Sequence, residues 1–321
     1  MKWLVTGATG FVGRALLARL AADPSNTVCG TTRQPGGHLA PGIGRTVVPE
    51  LGPDTPWLEA LRGVDVVVHL AARVHVMHEH AQDPLAAFRR VNVQGSLALA
   101  QQAMQAGVRR FVLVSSVKVH GESTPVGRPF HADDALRPQD AYGRSKQESE
   151  AALRALAQSG GMELVVVRPP LVYGPGVQAN FRALLQAVAR GWPLPLGALH
   201  NRRSLVALDN LVDLLVVCGR HPAAANQAFL VSDGRDLSTT ELLQQMARAL
   251  GRPAHLWPVP AAVLLALGRL AGRAAMVERL CGNLQVDIAK TRERLGWTPP
   301  VAVEEAMRRL AVGDALARGS V

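Results

Sequence analysis

The sequence predicts an α/β protein: a doubly wound parallel sheet followed by a smaller, mainly helical C-terminal lobe. Three observations carry this. Short apolar runs alternate with helix-length segments through the first half, the runs are unbroken Val/Leu stretches, and the texture turns helical after Arg168-Pro169-Pro170. Strands buried on both faces read as continuous apolar runs, as in a parallel sheet sandwiched by helices. Strand–helix alternation at this spacing implies right-handed βαβ units.

Trp3-Leu4-Val5 is the first predicted strand, and residues 11–20 follow as a helix. Further strands are predicted at 27–30, 46–48, 65–70, 111–114 and 164–167, with helices over 85–106 and 141–157. Beyond residue 168, helical patterns cover 181–190, 209–219, 239–250, 261–274 and 303–316, joined by Pro/Gly-rich links. The expected division is residues 1–168 and 169–321, with some later segments returning to the first unit.

With 321 residues and 48% apolar content the chain can bury a large core. Its formal charge of +10 is spread along the chain and comes nearly all from arginine, there being four lysines. No nucleic-acid motif accompanies the charge, so nucleic acid is not expected and polyanionic small ligands are. Cys29, Cys218 and Cys281 lie far apart, which fits a reducing cytoplasm and gives no metal or disulfide signature. The apolar run at the N-terminus is too short for a signal peptide. Residues 261–267 are the most apolar late stretch, but Gly268, Arg269 and Arg273 follow closely. That stretch is too short and too charged to span a bilayer, so it is read as a buried or docking helix, and no membrane partner is expected.

Thr6-Gly7-Ala8-Thr9-Gly10-Phe11-Val12-Gly13 follows the first strand and opens the first helix. Glycines let the backbone turn tightly and approach a pyrophosphate, which the helix N-terminus then attracts. The alternative is a plain tight turn, but the strand–turn–helix context is the one dinucleotide binding requires. At the end of the second strand a carboxylate would bind the ribose hydroxyls of NAD, whereas arginine accommodates a 2′-phosphate. Thr31-Thr32-Arg33 stands there, favouring NADP(H) with NAD(H) possible. The alternative for Arg33 is a solvated loop cation.

Tyr142-Gly143-Arg144-Ser145-Lys146 places Tyr and Lys four apart, on one helix face, in a chain with only two tyrosines. A phenol titrating near pH 10 is a poor base at neutral pH; an adjacent ammonium favours its ionised form. Tyr142 can then exchange a proton with a substrate hydroxyl. Ser116, with Ser115 as the alternate, follows the fifth strand at the sheet edge where open α/β folds bind ligands. His75, His78 and His80 lie in a loop without a metal-binding pattern, so no metal is expected and His75 is read as a substrate-mouth residue.

These segments, with Asp-Val-Val-Val-His-Leu-Ala-Ala at 65–72, Ser-Ser-x-x-Val-x-Gly at 115–121, Arg-Pro-Pro-Leu-Val-Tyr-Gly-Pro-Gly at 168–176 and Leu-Gly-Trp at 295–297, resemble the extended short-chain dehydrogenases/reductases. The resemblance is closest to the NAD-dependent epimerase/dehydratase family and covers nearly the whole chain. It implies a Rossmann domain, a UDP- or dTDP-sugar substrate, a homodimer, and Ser116, Tyr142 and Lys146 as catalytic residues. It implies a cofactor wall formed by the glycine loop, with Thr9, Phe11 and Val12, and by Thr32, Arg33, Glu50 and Leu51. Leu70, Ala71, Ala72, Asn92, Val114 and Pro169 complete that wall. Asn180, Arg203 and, by a looser match, Arg279 fall where the family contacts the substrate, with Ser115 and Lys118 nearby. Arginine's planar fork suits phosphate oxygens.

Val117-Lys118 stands where the 4,6-dehydratases of the family carry an acidic pair, which sets dehydration aside. UDP-galactose 4-epimerases carry Asp at the end of the second strand, where Thr32-Arg33 stands here. Three further segments resemble C4 reductases and epimerases of N-acetylquinovosamine and N-acetylfucosamine pathways in O-antigen (lipopolysaccharide) synthesis: residues 72–77, 116–122 and 201–206. The first expectation is reduction of a UDP-4-keto-6-deoxy-N-acetylhexosamine at C4 by NADPH. The alternative is a UDP-sugar 4-epimerase holding NAD. A dinucleotide-sensing scaffold is disfavoured because the Ser/Tyr/Lys set is complete, and a reductase of apolar ketones because Asn180 and Arg203 suit a diphosphate.

Overall fold

A computed structural model describes residues 1–37, 39–74 and 83–319, with side chains of the last helix described as far as Asp314. Seven parallel strands form the central sheet: β1 (Lys2–Thr6), β2 (Thr27–Thr32), β3 (Gly44–Val47), β4 (Val66–His69), β5 (Arg110–Val114), β6 (Glu163–Arg168) and, after a pair in the lobe, β9 (Ala228–Leu230). Their order is β3-β2-β1-β4-β5-β6-β9, so the winding reverses between β1 and β4. Both faces are buried. Trp3, Val5, Val66, Val68, Val112 and Val165 pack on one side, Leu4, Val67, Phe111, Leu113 and Leu164 on the other. That is why the strands read as unbroken apolar runs.

Helix α1 (Phe11–Ala21) covers the first face together with α6 (Leu208–Arg220). The α1–α6 layer is so close to β1 that a Cβ on Gly219 would lie 2.2 Å from the Trp3 ring. The second face carries α3 (Ser96–Gln105) and α4 (Ala141–Gly160). The expected helix over 85–106 is not uniform. It comprises α2 (Pro84–Phe88), a π-helical segment Arg89–Gly95 and then α3.

After β6 the chain adds a two-stranded parallel sheet, β7 (Leu171–Tyr173) with β8 (Leu205–Ala207). Around it stand α5 (Ala179–Ala189), α7 (Thr239–Ala249), α8 (Ala261–Leu270), α9 (Ala274–Cys281) and α11 (Val303–Gly319), while α10 (Ala289–Leu295) packs on β9. The expected helix 261–274 ends at Leu270, because Gly272 takes a left-handed φ of 67° before α9 begins. The lobe has its own core of Tyr173, Phe181, Leu185, Leu243, Met246 and Met307. Segments beyond residue 168 also enter the first layer, since β9 pairs with β6 and α6 packs on α1.

Candidate active site

The site is at the carboxyl edge of the sheet, where the winding reverses between β1 and β4; open α/β folds bind ligands in such a crevice. After Thr6 the chain turns through Gly7, whose φ is 67°. A Cβ on Gly7 would lie 2.8 Å from the Ala71 nitrogen, and one on Gly13 only 2.2 Å from the Gly7 oxygen. The Gly10 N–H donates to that same oxygen at 2.9 Å. Gly10 begins α1 without a side-chain cap, whereas Asp140 caps α4 and Ser238 with Glu241 forms a capping box on α7. Thr9 and Gly10 are exposed, Phe11 and Val12 half-buried. An uncapped helix end at an exposed glycine turn is ready for a pyrophosphate, so these residues fit a dinucleotide.

The wall beside this cradle is tied by a buried chain of polar groups. The Thr6 hydroxyl accepts from the Ala71 N–H at 3.2 Å and pairs with His69 Nδ1 at 2.7 Å, while His69 Nε2 pairs with Ser96 Oγ at 2.8 Å. Burial, and then the nearby Lys146 charge, push His69 down to about 3, so it is a neutral strut between β1, β4 and α3. Leu70, Ala71 and Ala72 continue from it, half-buried. Toward the other end of the crevice, Thr32 closes β2 with its hydroxyl on the Gln34 carbonyl, and Arg33 is exposed. No carboxylate pairs with Arg33 among the described residues. Glu50 lies 3.5 Å from Arg90, and both border a cavity of about 390 Å³ with Val47, Val48 and Gly52. Leu51 beside it is half-buried.

Tyr142 stands in the first turn of α4. Asp140 fixes that turn by accepting from the Gly143 N–H at 2.6 Å, and a Cβ on Gly143 would lie 2.8 Å from the Lys118 carbonyl. The edge of Phe88 meets the Tyr142 ring at 6.0 Å, and Arg73 lies over Phe88 at 5.7 Å. Burial, and then the Asp140 charge, push the Tyr142 phenol up to about 12. One turn on, Lys146 is buried and donates to the Val114 carbonyl at 2.9 Å. Burial lowers its ammonium to about 8, against a pull upward from Glu150. Lys146 has three donors, so two remain for a ligand.

Ser116 is extended and opens a short 3-10 turn, its oxygen accepting from the Lys118 N–H at 3.2 Å. No acceptor takes its proton among the described residues. The Ser115 hydroxyl is buried and unpartnered among them. Pro169 is buried behind these serines, and its carbonyl accepts from the Val117 N–H at 3.0 Å. Asn92, within the π-helical segment, accepts from the Arg73 N–H at 2.8 Å and donates to the Arg73 carbonyl and to Ser145 Oγ. It braces the loop after β4 against α4.

Lys118, expected near the substrate, has acidic partners within the protein. Its ammonium is held between Asp140 at 2.5 Å and Glu122 at 3.0 Å, so it secures the turn that carries Tyr142. In the lobe, Arg203 is half-buried and donates to the Arg279 and Gly282 carbonyls at 2.7 and 3.0 Å. Burial, and then the Arg279 charge, lower the Arg203 guanidinium. Neither arginine pairs with a carboxylate among the described residues. Asn180 is exposed in the first turn of α5, directly after Ala179 with its left-handed φ of 55°. His75, His78 and His80 lie outside the described residues, and among those described no group of His, Cys, Asp and Glu is arranged to hold a metal.

Sequence reasoning missed Phe88, the Asp140 cap and the His69 strut. Asp140 had a visible signal, an acidic residue just before a helix that starts with Tyr142. Also missed was the pair behind α4: Glu150 and Arg168, each almost fully buried, bonded at 3.0 and 2.6 Å, with Arg168 also on the Ala132 carbonyl and His120.

Residues 3–232 match the model of the NAD dependent epimerase/dehydratase family. The chain is 46% identical over 309 residues to a UDP-glucose 4-epimerase of Vibrio cholerae, covering 96% of this chain and 94% of that one. It is 27% identical over 325 residues to an N-acetyl-α-D-glucosaminyl-diphospho-ditrans,octacis-undecaprenol 4-epimerase of Escherichia coli O157:H7, covering 95% and 93%. Among solved structures, a UDP-glucose 4-epimerase from Thermotoga maritima with UDP-glucose shares the fold at a TM-score of 0.78 and 22% identity, over 99% of this chain and all of that one.

Proposed function

The chain belongs to the NAD dependent epimerase/dehydratase family and is an enzyme, and from that premise we propose that it inverts C4 of a UDP-hexose or UDP-N-acetylhexosamine while holding NAD. The observation that carries this reading is the Tyr142–Lys146 pair beside Ser116 at the β5 edge, next to the uncapped glycine cradle. The Vibrio cholerae relative's activity favours epimerisation over the reduction suggested by Arg33.

The chemistry a bound NAD supplies is acceptance of a hydride from C4 and its return to the other face. Tyr142 takes the proton of the C4 hydroxyl, keeps it beside the ketone, and gives it back. Ser116 donates its unspent proton to the same oxygen. Lys146, anchored on Val114, turns its remaining donors to the ribose, and its charge favours the phenolate. Because Tyr142 is pushed up to about 12 without a ligand, it is a base only when positive charge is added beside it. Arg203 and Arg279 hold the diphosphate, and Asn180 the neighbouring sugar.

One observation favours a second reading, NADPH-dependent reduction of a UDP-4-keto-6-deoxy-N-acetylhexosamine: Arg33, exposed directly after β2, suits a 2′-phosphate. The test incubates the purified protein with UDP-glucose or UDP-N-acetylglucosamine and separates the galacto isomers. Interconversion without added cofactor, with NAD released on denaturation, is expected. Stoichiometric loss of NADPH absorbance with the keto sugar, and no isomer formed, would instead establish the reductase.

A further inference from the structure

Helix α8 carries an apolar stripe that no described part of the chain covers. Val263, Leu267 and Leu270 recur at i, i+4 and i+7, so they share a face, and they are 46%, 56% and 86% exposed. Ala262 and Ala266 are exposed as well. Only Leu264 and Gly268 are buried, on the other side, where α9 approaches so closely that a Cβ on Gly268 would lie 2.7 Å from Val277. Met276 on α9 is exposed too. Trp192 and Trp257 are also exposed, on segments joined by backbone hydrogen bonds between Leu194 and both His255 and Trp257. An apolar surface of this kind on a water-facing lobe marks an interaction site.

The hairpin itself is basic: residues 261–281 carry Arg269, Arg273 and Arg279 against Glu278 alone. Residues 174–208 contain four arginines and no acid, and residues 242–281 five arginines and one glutamate. These two stretches share the lobe's core, to which segments bearing Glu241, Glu304 and Glu305 also contribute. Every one of those arginines except Arg203 is exposed. Arg269 and Arg273 stand at the end of α8 and the start of α9.

We propose that the α8–α9 hairpin seats this enzyme on an anionic bilayer surface. The stripe enters the acyl boundary and the arginines meet lipid phosphates, as for an amphipathic helix lying in the interface. Among the described residues no helix is long and apolar enough to cross a membrane, so the attachment is peripheral. This departs from the sequence expectation of no membrane partner. A second copy of the chain is the competing occupant. A two-fold contact through this face would set one arginine-rich surface against its twin, whereas lipid phosphates neutralise it. The docking holds whichever way the hydride chemistry runs.

The test is sedimentation of the full chain with vesicles of phosphatidylglycerol and phosphatidylethanolamine, with phosphatidylcholine vesicles as the control. The wild type is expected to pellet with the anionic vesicles only and to be released by high salt. The double variant Leu267→Glu/Leu270→Glu, whose positions are exposed, is expected to keep the wild-type thermal midpoint and to lose at least tenfold in vesicle partition. A wild type that stays in the supernatant with anionic vesicles overturns the proposal, as does a double variant that pellets equally. A wild-type dimer by light scattering that becomes a vesicle-binding monomer in the double variant makes the stripe an interface between copies instead.

Discussion

On the β5 side of the site the cations rest on oxygens of the protein itself: Lys146 on the Val114 carbonyl, Lys118 on Asp140 and Glu122, Arg168 on Glu150. In the C-terminal lobe Arg203 is half-buried on two carbonyls beside Arg279, and neither arginine meets a carboxylate among the described residues. Lys118 and Arg168 are neutralised by their acids without a ligand, whereas Lys146, on a single carbonyl, keeps two donors free. The lobe's arginines leave positive charge unneutralised, and that residue of charge is what a diphosphate is proposed to complete. A buried cation with its acid present reads as scaffold, and one without it reads as a binding group.

Four measurements sharpen or break this contrast. Tyr142→Phe is expected to lower kcat by roughly a thousandfold with the thermal midpoint unchanged, since it removes the proton carrier and leaves the ring against Phe88; equal turnover would sink the assignment. Arg168→Met leaves the buried Glu150 charge with only the more exposed Arg154, 3.4 Å away, and is expected to cost about 3 kcal/mol in denaturant unfolding. Arg203→Gln is expected to do the reverse, raising KM for the UDP-sugar by about 10- to 100-fold, about 1.4–2.8 kcal/mol, while ligand-free stability is kept or improved. A large stability loss there would show that Arg203 is scaffold after all.

The smallest effect is in pH. Burial holds His69 at about 3 and His120 at about 4, both below the ordinary 6.5. The unfolded chain therefore binds protons at these positions before the folded chain does. Stability is full above pH 6.5 and is lost as pH falls toward 4. The thermal midpoint against pH should show this slope, and His69→Gln should flatten it.

The first-half strands were legible because burial on both faces leaves unbroken apolar runs, and the glycine loop because Gly7 and Gly13 have no room for a Cβ. The Tyr142–Lys146 pair was legible because its spacing is set by one helix turn. β7, β8 and β9 are three residues each, too short for any periodicity, and they form only because sheet and lobe meet there. The pairing of Lys118 with Asp140 was not legible because the two are 22 residues apart, a separation no local pattern reports. Arg168 and Glu150 went unnoticed for the same reason, 18 residues apart and joined only by tertiary packing.

The π-helical segment Arg89–Gly95 has a bearing on chain length. Phe88 touches Tyr142, Asn92 touches Ser145, and Ser96 touches His69, at successive steps of four residues. In a regular α-helix each such step winds by about 40°, so the last of the three would point about 80° away from the first. The wider i→i+5 turn absorbs part of that drift and draws the three side chains toward one file. The segment thus holds one residue more than a regular helix needs between these contacts: wound as an ordinary α-helix the same residues would swing Ser96 about 80° from Phe88's line and off His69, whereas deleting one residue from 93–95 would leave seven steps, about 700°, and keep Ser96 in file.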